Sequence, residues 1–443
     1  VKYLVGELLN NLSRPNVVLA MTPTSQGSFK PQNLVDGFVE KYAKWSPVTG
    51  GGGDGGADDR RILTANQSVL RNGGFEQGLV GWVKTGTVTV VSSPTHSGTK
   101  ALQVAAGGTN RAVQDLFAAG GKGKKGGGGA GYFLSGEWAR IQGWLLGSAG
   151  ATAQAYLQDV LTGRFLQPGG LSWGAEAPFA TNADAAYVEG AVSFRCEPYS
   201  LTQSHLTKLR IILKGAGSGN VVFDDFVIYP GLDWLSIHGF NFAAVMAPRL
   251  WGSHTGAFAG EETLLLSLTP RQPAFYGVLP SVVFYQHLMF ELQGFVDPAF
   301  QPAIGELVAG QAQTLLVGSQ IGAGVSNEFP ATAKGGGSGK KGGSARKTAL
   351  KTAVQPVRTL TLPFVHPNTA AYDQHREWFV LRCRGEGEDI VFAPDSMDAG
   401  EVVYGGLVGA RGHTLLVPDP ADASLRARQG VALKIKEDPF PRF

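Results

Sequence analysis

In the most regular stretches of this chain, apolar residues recur at every second position, the period of a strand with one face buried. TGTVTVV (85–91) alternates, and KLRIILK (208–214) puts Leu209, Ile211 and Leu213 on one face. VVFDDFVIY (221–229) and TLTLPFV (359–365) are rich in branched and aromatic residues and bounded by Gly and Pro. One stretch has helical character, NTAAYDQHREWFVLRCRG (368–385): Asn368 can cap it, Tyr372 and Phe379 share a face, and Gly385 can end it. The expected class is mostly β, built of multidomain β-sandwiches with one α+β unit towards the C-terminus.

The 443 residues leave room for roughly two to four domains. Glycine supplies 63 of them, concentrated in GGGGDGG (50–56), GGKGKKGGGGAG (120–131) and KGGGSGKKGGSARK (334–347). Such runs cannot bury apolar area and read as surface loops; a basic loop touching a polyanion is the alternative. Charged residues make up 16%, below the roughly 25% of an average soluble domain, so partners are expected to cover much of the surface.

The net charge of +3 is mild and spread out. No basic face interleaved with aromatics suggests nucleic acid. Cys196 and Cys383 form neither a disulfide framework nor a zinc pattern. The N-terminal VKYLVGELLNNLSRPNVV is interrupted by polar residues before a signal-peptide core can form, and no run approaches a membrane span. The expectation is a soluble chain with neither secretion nor membrane insertion encoded.

Residues 63–230 read as a self-contained unit. It opens with RNGGFEQGLVGW (71–82), continues with SGTKALQV (97–104) and closes with VVFDDFVIYP (221–230). The series resembles the jelly-roll carbohydrate-binding modules attached to glycoside hydrolases, which open on an Asn-Gly-Gly-Phe-Glu turn and close on a Phe-Asp-Asp strand. The resemblance implies a sugar site made of exposed rings, because flat aromatic faces match the CH-rich faces of pyranoses. Trp138, Trp144, Tyr156 and Trp173 are the candidates; sandwich core is the other fate open to them. The terminal strands of a jelly roll lie side by side, so Glu76 can meet Asp224 or Asp225, and such hard oxygens suit a structural calcium, the one cofactor considered. Plain solvation is the alternative for two acids in a strand.

With that unit set aside as an insertion, PQNLVDGFVEKYAKWS (31–46) runs on to LDWLSIHGFNF (232–242) and VVFYQHLMFELQGF (282–295). Together they resemble a discoidin-type, galactose-binding-like sandwich, split into residues 21–62 and 231–300, with residues 1–20 as an N-terminal arm. Asp36 and Gly37 are expected in a tight turn and Trp45 on the sandwich; His238 and Asn241 are expected to order a strand-to-loop turn rather than to bind.

IGELVAGQAQTL (304–315), NEFP (327–330), the stretch 358–407 and LKIKEDPFP (433–441) form a further series. It resembles the minor structural proteins of the distal tail of long-tailed bacteriophages, in which such a C-terminal unit, here 301–443, packs between neighbours in a ring. Tyr372, Trp378, Phe379 and Tyr404 are the anchors this implies.

No nucleophile elbow, zinc-binding helix or phosphate loop in its proper context is present, so no enzyme is expected. The combined reading is a virion tail protein, assembling with copies of itself and other tail proteins and displaying a jelly roll towards host surface glycans. A secreted carbohydrate-binding adhesin and a purely structural decoration protein are its rivals.

Overall fold

The computed structural model of the chain describes residues 2–6, 11–13, 19–22, 32, 43–45, 60–64, 68–117, 133, 136–196, 207–242, 246–271, 274–293, 301–315, 324–328, 357–365, 389–393, 402–408, 413–414 and 430–437. The fold is mostly β, and the described strand pairs are antiparallel sheets. The helix expected over 368–385, the turn at Asp36 and Gly37 and the three glycine runs lie outside the described residues, as do Tyr372, Trp378 and Phe379. Tyr404 lies on the strand Val403–Val408, opposite Val391.

The insertion is a two-sheet jelly roll. Its larger sheet runs in the order Trp173–Gly174, Phe165–Leu166, Ala151–Asp159, Leu209–Gly217, Arg111–Asp115, Val83–Thr85, with Ala180–Asn182 also on Ala151–Asp159. Its smaller sheet runs Val188–Arg195, Trp138–Leu146, Asn220–Pro230, Ala101–Ala105, Val88–Val91. Alternation decides what lies between them. Leu209, Ile211 and Leu213 from one sheet and Ile141, Leu145, Phe223 and Ile228 from the other are buried in a shared core, and each such side chain contributes about 1.5–3 kcal/mol. The intervening residues, Arg210, Ile212 and Lys214 among them, point away from that core.

Strands from both sides of the insertion join in one second sandwich. Ala303–Gly310 pairs with Leu232–Phe240 on one edge and with Ala43–Lys44 on the other. Facing that sheet, Arg60–Thr64 lies between Leu19–Thr22 and His287–Leu292. Trp45 is fully buried in their common core with Ile237, Phe275 and Phe290. His238 is also buried, its Nε2 3.0 Å from Ser236 Oγ, and burial pushes its imidazole down to about 3. Asn241 stitches the turn, donating to the Gln301 carbonyl at 3.0 Å and accepting from the Ala303 N–H at 2.8 Å.

A fifth sheet gathers the C-terminal strands in the order Gln313–Leu315, Lys2–Gly6, Asp389–Ala393, Val403–Val408, Gly430–Glu437, Val357–Val365, Gly324–Glu328. Residues 2–6, assigned to a separate arm from the sequence, are therefore a strand inside this sheet. They find two neighbours there, Gln313–Leu315 and Asp389–Ala393, which satisfy the backbone groups a free arm would leave to solvent.

Candidate functional site

The opening turn of the jelly roll explains its own residues. Asn72 folds it: Nδ2 donates to the Gly78 carbonyl at 2.8 Å, Oδ1 accepts from Gln77 N–H at 3.1 Å, and the Asn72 carbonyl accepts from Trp82 Nε1 at 3.2 Å. Phe75 enters the core at a φ of 56°, 5.2 Å from the Trp82 ring. Gly73 lies against the closing strand, where a Cβ would stand 1.7 Å from the Phe226 carbonyl oxygen.

Glu76, Asp224 and Asp225 meet one loop at two different points and do not converge on a shared cation position. Glu76 accepts from the Thr99 N–H at 2.7 Å, the Thr99 hydroxyl at 2.6 Å and the Lys100 N–H at 2.9 Å. The Thr99 hydroxyl, then the two backbone N–H groups, hold its carboxyl below the usual range. Asp224 accepts from the His96 N–H at 2.8 Å, while Asp225 takes His96 Nδ1 at 2.8 Å and the Ser97 hydroxyl at 2.9 Å. Burial raises Asp224 to about 6, against the His96 bond. Among the described residues no group of three or more His, Cys, Asp or Glu could hold a metal ion. The physical reason is the bulge between Asp224 and Val227, with Asp225 at a φ of 49°, which turns the two neighbouring carboxylates onto the loop's own donors.

The four aromatic candidates are not brought together either. Trp173 is buried in the jelly-roll core, donating Nε1 to the Arg195 carbonyl at 2.9 Å, so it offers no face to a sugar. Trp138 and Trp144 belong to the smaller sheet. Trp144 has His96 stacked on one face of its ring at 3.8 Å and lines a small cavity on the smaller sheet with Asn72, Gln142 and Gln286. Trp138 sits at the junction with the second sandwich, where its N–H and carbonyl are both bound by Gln311. Of the four, Tyr156 alone points to the outer face of the larger sheet, and there it is buried beneath Lys214, not an exposed ring.

That outer face holds the site. A cleft of about 930 Å³ runs across the strands Val83–Thr85, Arg111–Asp115 and Leu209–Gly217 to Phe165. Val113 and Ile212 form its apolar floor, and Val83, Phe117 and Phe165 add apolar surface around it. Polar groups line the rest. Arg210 binds Asp115 through two nitrogens, at 2.5 and 3.1 Å, and this bond raises its guanidinium above the ordinary range. Lys214 reaches Glu176 at 2.5 Å and lies over the Tyr156 ring, 4.2 Å from its centroid. Burial alone depresses the Lys214 ammonium; the bonds to Glu176 and Tyr156 more than offset it, leaving it raised. The Tyr156 hydroxyl donates to Gln154 Oε1 at 2.9 Å, and its ring meets Phe165 edge-on at 6.1 Å. A half-apolar cleft with fixed hydrogen-bonding groups can hold a flat, hydroxyl-bearing chain against a rigid sheet.

Sequence reasoning missed most of this cleft. The only signal was the second face of KLRIILK, where Arg210, Ile212 and Lys214 alternate with the core residues.

No protein-family model and no curated protein sequence matches the chain. Solved structures similar to it include carbohydrate-binding modules and a phage tailspike. The CBM22-1 xylan-binding domain from Paenibacillus barcinonensis Xyn10C is 18% identical, over 38% of this chain and 96% of that one, with a TM-score of 0.26. A Family 16 carbohydrate-binding module is 14% identical, over 36% of this chain and 98% of that one, with a TM-score of 0.25. The enzymatically active domain of bacteriophage CBA120 tailspike protein 4 is 10% identical, over 37% of this chain and 21% of that one, with a TM-score of 0.24.

Proposed function

We propose that this chain is a structural protein of a phage tail that carries the inserted jelly roll as a glycan-binding module, with the glycan lying in the cleft on the larger sheet. The cleft is the observation that carries the reading. Its floor of Val113 and Ile212 and its Phe165 edge supply apolar contact, while Gln158, Thr85 and the two ion pairs supply fixed donors and acceptors for hydroxyl groups. The jelly roll leaves the second sandwich after Arg60–Thr64 of one sheet and re-enters it at Leu232–Phe240 of the facing sheet, so both of its connections run to the same host sandwich.

The tail assignment rests on the C-terminal series of residues 301–443; its strand Ala303–Gly310 belongs to the second sandwich, and its strands from Gln313–Leu315 onward share one sheet with residues 2–6. In a ring of copies, weak binding by each cleft would sum through multivalency. The proposal includes no hydrolytic step. Asp115 and Glu176 are the carboxylates of the cleft, and each is tied to a cation, Arg210 or Lys214.

A glycan array probed with the full chain tests the binding, with release of reducing sugar measured alongside. Binding without release is expected, and Phe165→Ala should weaken it. Silence on every glycan class, or release of reducing sugar, contradicts the proposal. Electron microscopy of the virion with an antibody to the jelly roll tests the tail assignment; label away from the tail would overturn it.

A further inference from the structure

Charge is distributed unevenly in the cleft. Arg71, Arg111, Arg210 and Lys214 line it against only two carboxylates, Asp115 and Glu176. Both carboxylates are already taken, Asp115 by Arg210 and Glu176 by Lys214. Arg71 and Arg111 are exposed, and among the described residues no carboxylate engages either guanidinium.

The strand register sharpens the point. Asp115 stands directly opposite Arg210, a complementary pair, whereas Arg111 stands directly opposite Lys214. Like charges facing each other across a ladder destabilise a sheet. Glu176 answers the Lys214 charge, so Arg111 is the cation of this pair with no carboxylate engaging it among the described residues, on the wall of a cleft already suited to a sugar chain. An anion seated beside Arg111 would supply that partner, and a guanidinium fork matches a carboxylate or phosphate with two parallel bonds.

We infer that the cleft takes an anionic glycan, with acidic groups of the sugar chain placed against Arg111 and Arg71. The inference rests on the glycan reading above and adds the class of ligand. The acidic group can be a uronate carboxylate or a phosphodiester, which share this chemistry.

The test is affinity electrophoresis of the full chain in gels carrying four polymers: polygalacturonate, its fully methyl-esterified neutral form, poly(glycerol phosphate) and polyglutamate. Polygalacturonate or poly(glycerol phosphate) should retard the protein at least about tenfold more strongly than the ester does, with retardation falling as salt is added. The stronger of the two identifies the acidic group. The variant Arg111→Gln should lose about tenfold in affinity for the acidic polymer, while its melting temperature without ligand stays level or rises. Arg140→Gln, on the smaller sheet, should bind as the wild type does.

Equal retardation by the neutral ester would overturn the inference and leave the glycan reading standing. Equal retardation by polyglutamate would reduce the cleft to a general polyanion surface and also overturn it. Unchanged binding by Arg111→Gln would do the same. Retardation by none of the sugar polymers would remove both the inference and the glycan reading beneath it.

Discussion

Gln311 of the second sandwich holds Trp138 of the jelly roll through both backbone groups: its Oε1 accepts from the Trp138 N–H at 2.8 Å, and its Nε2 donates to the Trp138 carbonyl at 2.7 Å. The same Nε2 lies 3.2 Å from the Gly231 carbonyl, which also accepts from Asn11 Nδ2 at 2.9 Å. One side chain therefore stitches the start of the jelly-roll strand Trp138–Leu146 to Gly231, where the chain passes from the jelly roll into the second sandwich.

Gln311→Ala should remove that stitch. The side chain is buried, and the Trp138 N–H would lose its partner while the Trp138 and Gly231 carbonyls keep the Gly231 N–H and Asn11, at a cost of about 1–3 kcal/mol. Calorimetry should show a lower melting temperature and a transition that broadens or splits as the two sandwiches uncouple. An unchanged single transition would show that the strand connection alone couples them.

Gly73→Ala tests the opening turn. Its Cβ would stand 1.7 Å from the Phe226 carbonyl oxygen, which is backbone and cannot swing aside. A loss of about 3 kcal/mol or more is expected in urea unfolding, while Gly78→Ala, with open space around its Cβ and a φ of 71°, should lose only about 1 kcal/mol.

Trp173 and Phe165 separate core from cleft. Trp173→Ala should cost about 3–5 kcal/mol, because it empties a buried site and orphans the Arg195 carbonyl. Phe165→Ala should cost less stability and reduce glycan affinity by about tenfold. Equal effects of the two on binding at fixed folded fraction would argue against the cleft.

Acid should act on the two sandwiches in opposite directions. Asp224 has its folded value raised to about 6 against roughly 3.9 when unfolded, so the folded state holds more protons in that window. Its contribution to stability is full at low pH and is lost as pH rises through about 6. His238, lowered to about 3 against roughly 6.5 unfolded, does the reverse: its contribution is full above pH 6.5 and is lost as pH falls. Asp224→Asn should therefore make stability fall more steeply on acidification from pH 6.5 to 4. Denaturant titrations across that range would show it; a flatter profile in the variant would contradict the assignment.

The framework was legible in the sequence because a core imposes a period of two on every strand that helps to line it. Leu209, Ile211 and Leu213 announced their strand, and the Asn-Gly-Gly-Phe-Glu turn announced the start of the jelly roll. The cleft was not legible in that way. Each of its strands contributes a few residues spaced two apart, Arg111, Val113 and Asp115 from one, Arg210, Ile212 and Lys214 from the next, and nothing in the linear order says those strands are neighbours. The tryptophans misled for a related reason: a ring on a strand reads the same whether it faces core, as Trp173 does, or lies under a histidine, as Trp144 does. The carboxylates at Glu76, Asp224 and Asp225 looked like ligands because the loop that supplies their donors, residues 96–100, carries no acceptor pattern of its own.

The most direct measurement is a structure of the full chain with an oligosaccharide selected from the glycan array. The account predicts sugar density along the outer face of the strands Arg111–Asp115 and Leu209–Gly217, in contact with Phe165 and within hydrogen-bonding distance of Arg111. Density on the smaller sheet beside Trp144, or an empty cleft at saturating ligand, would contradict it.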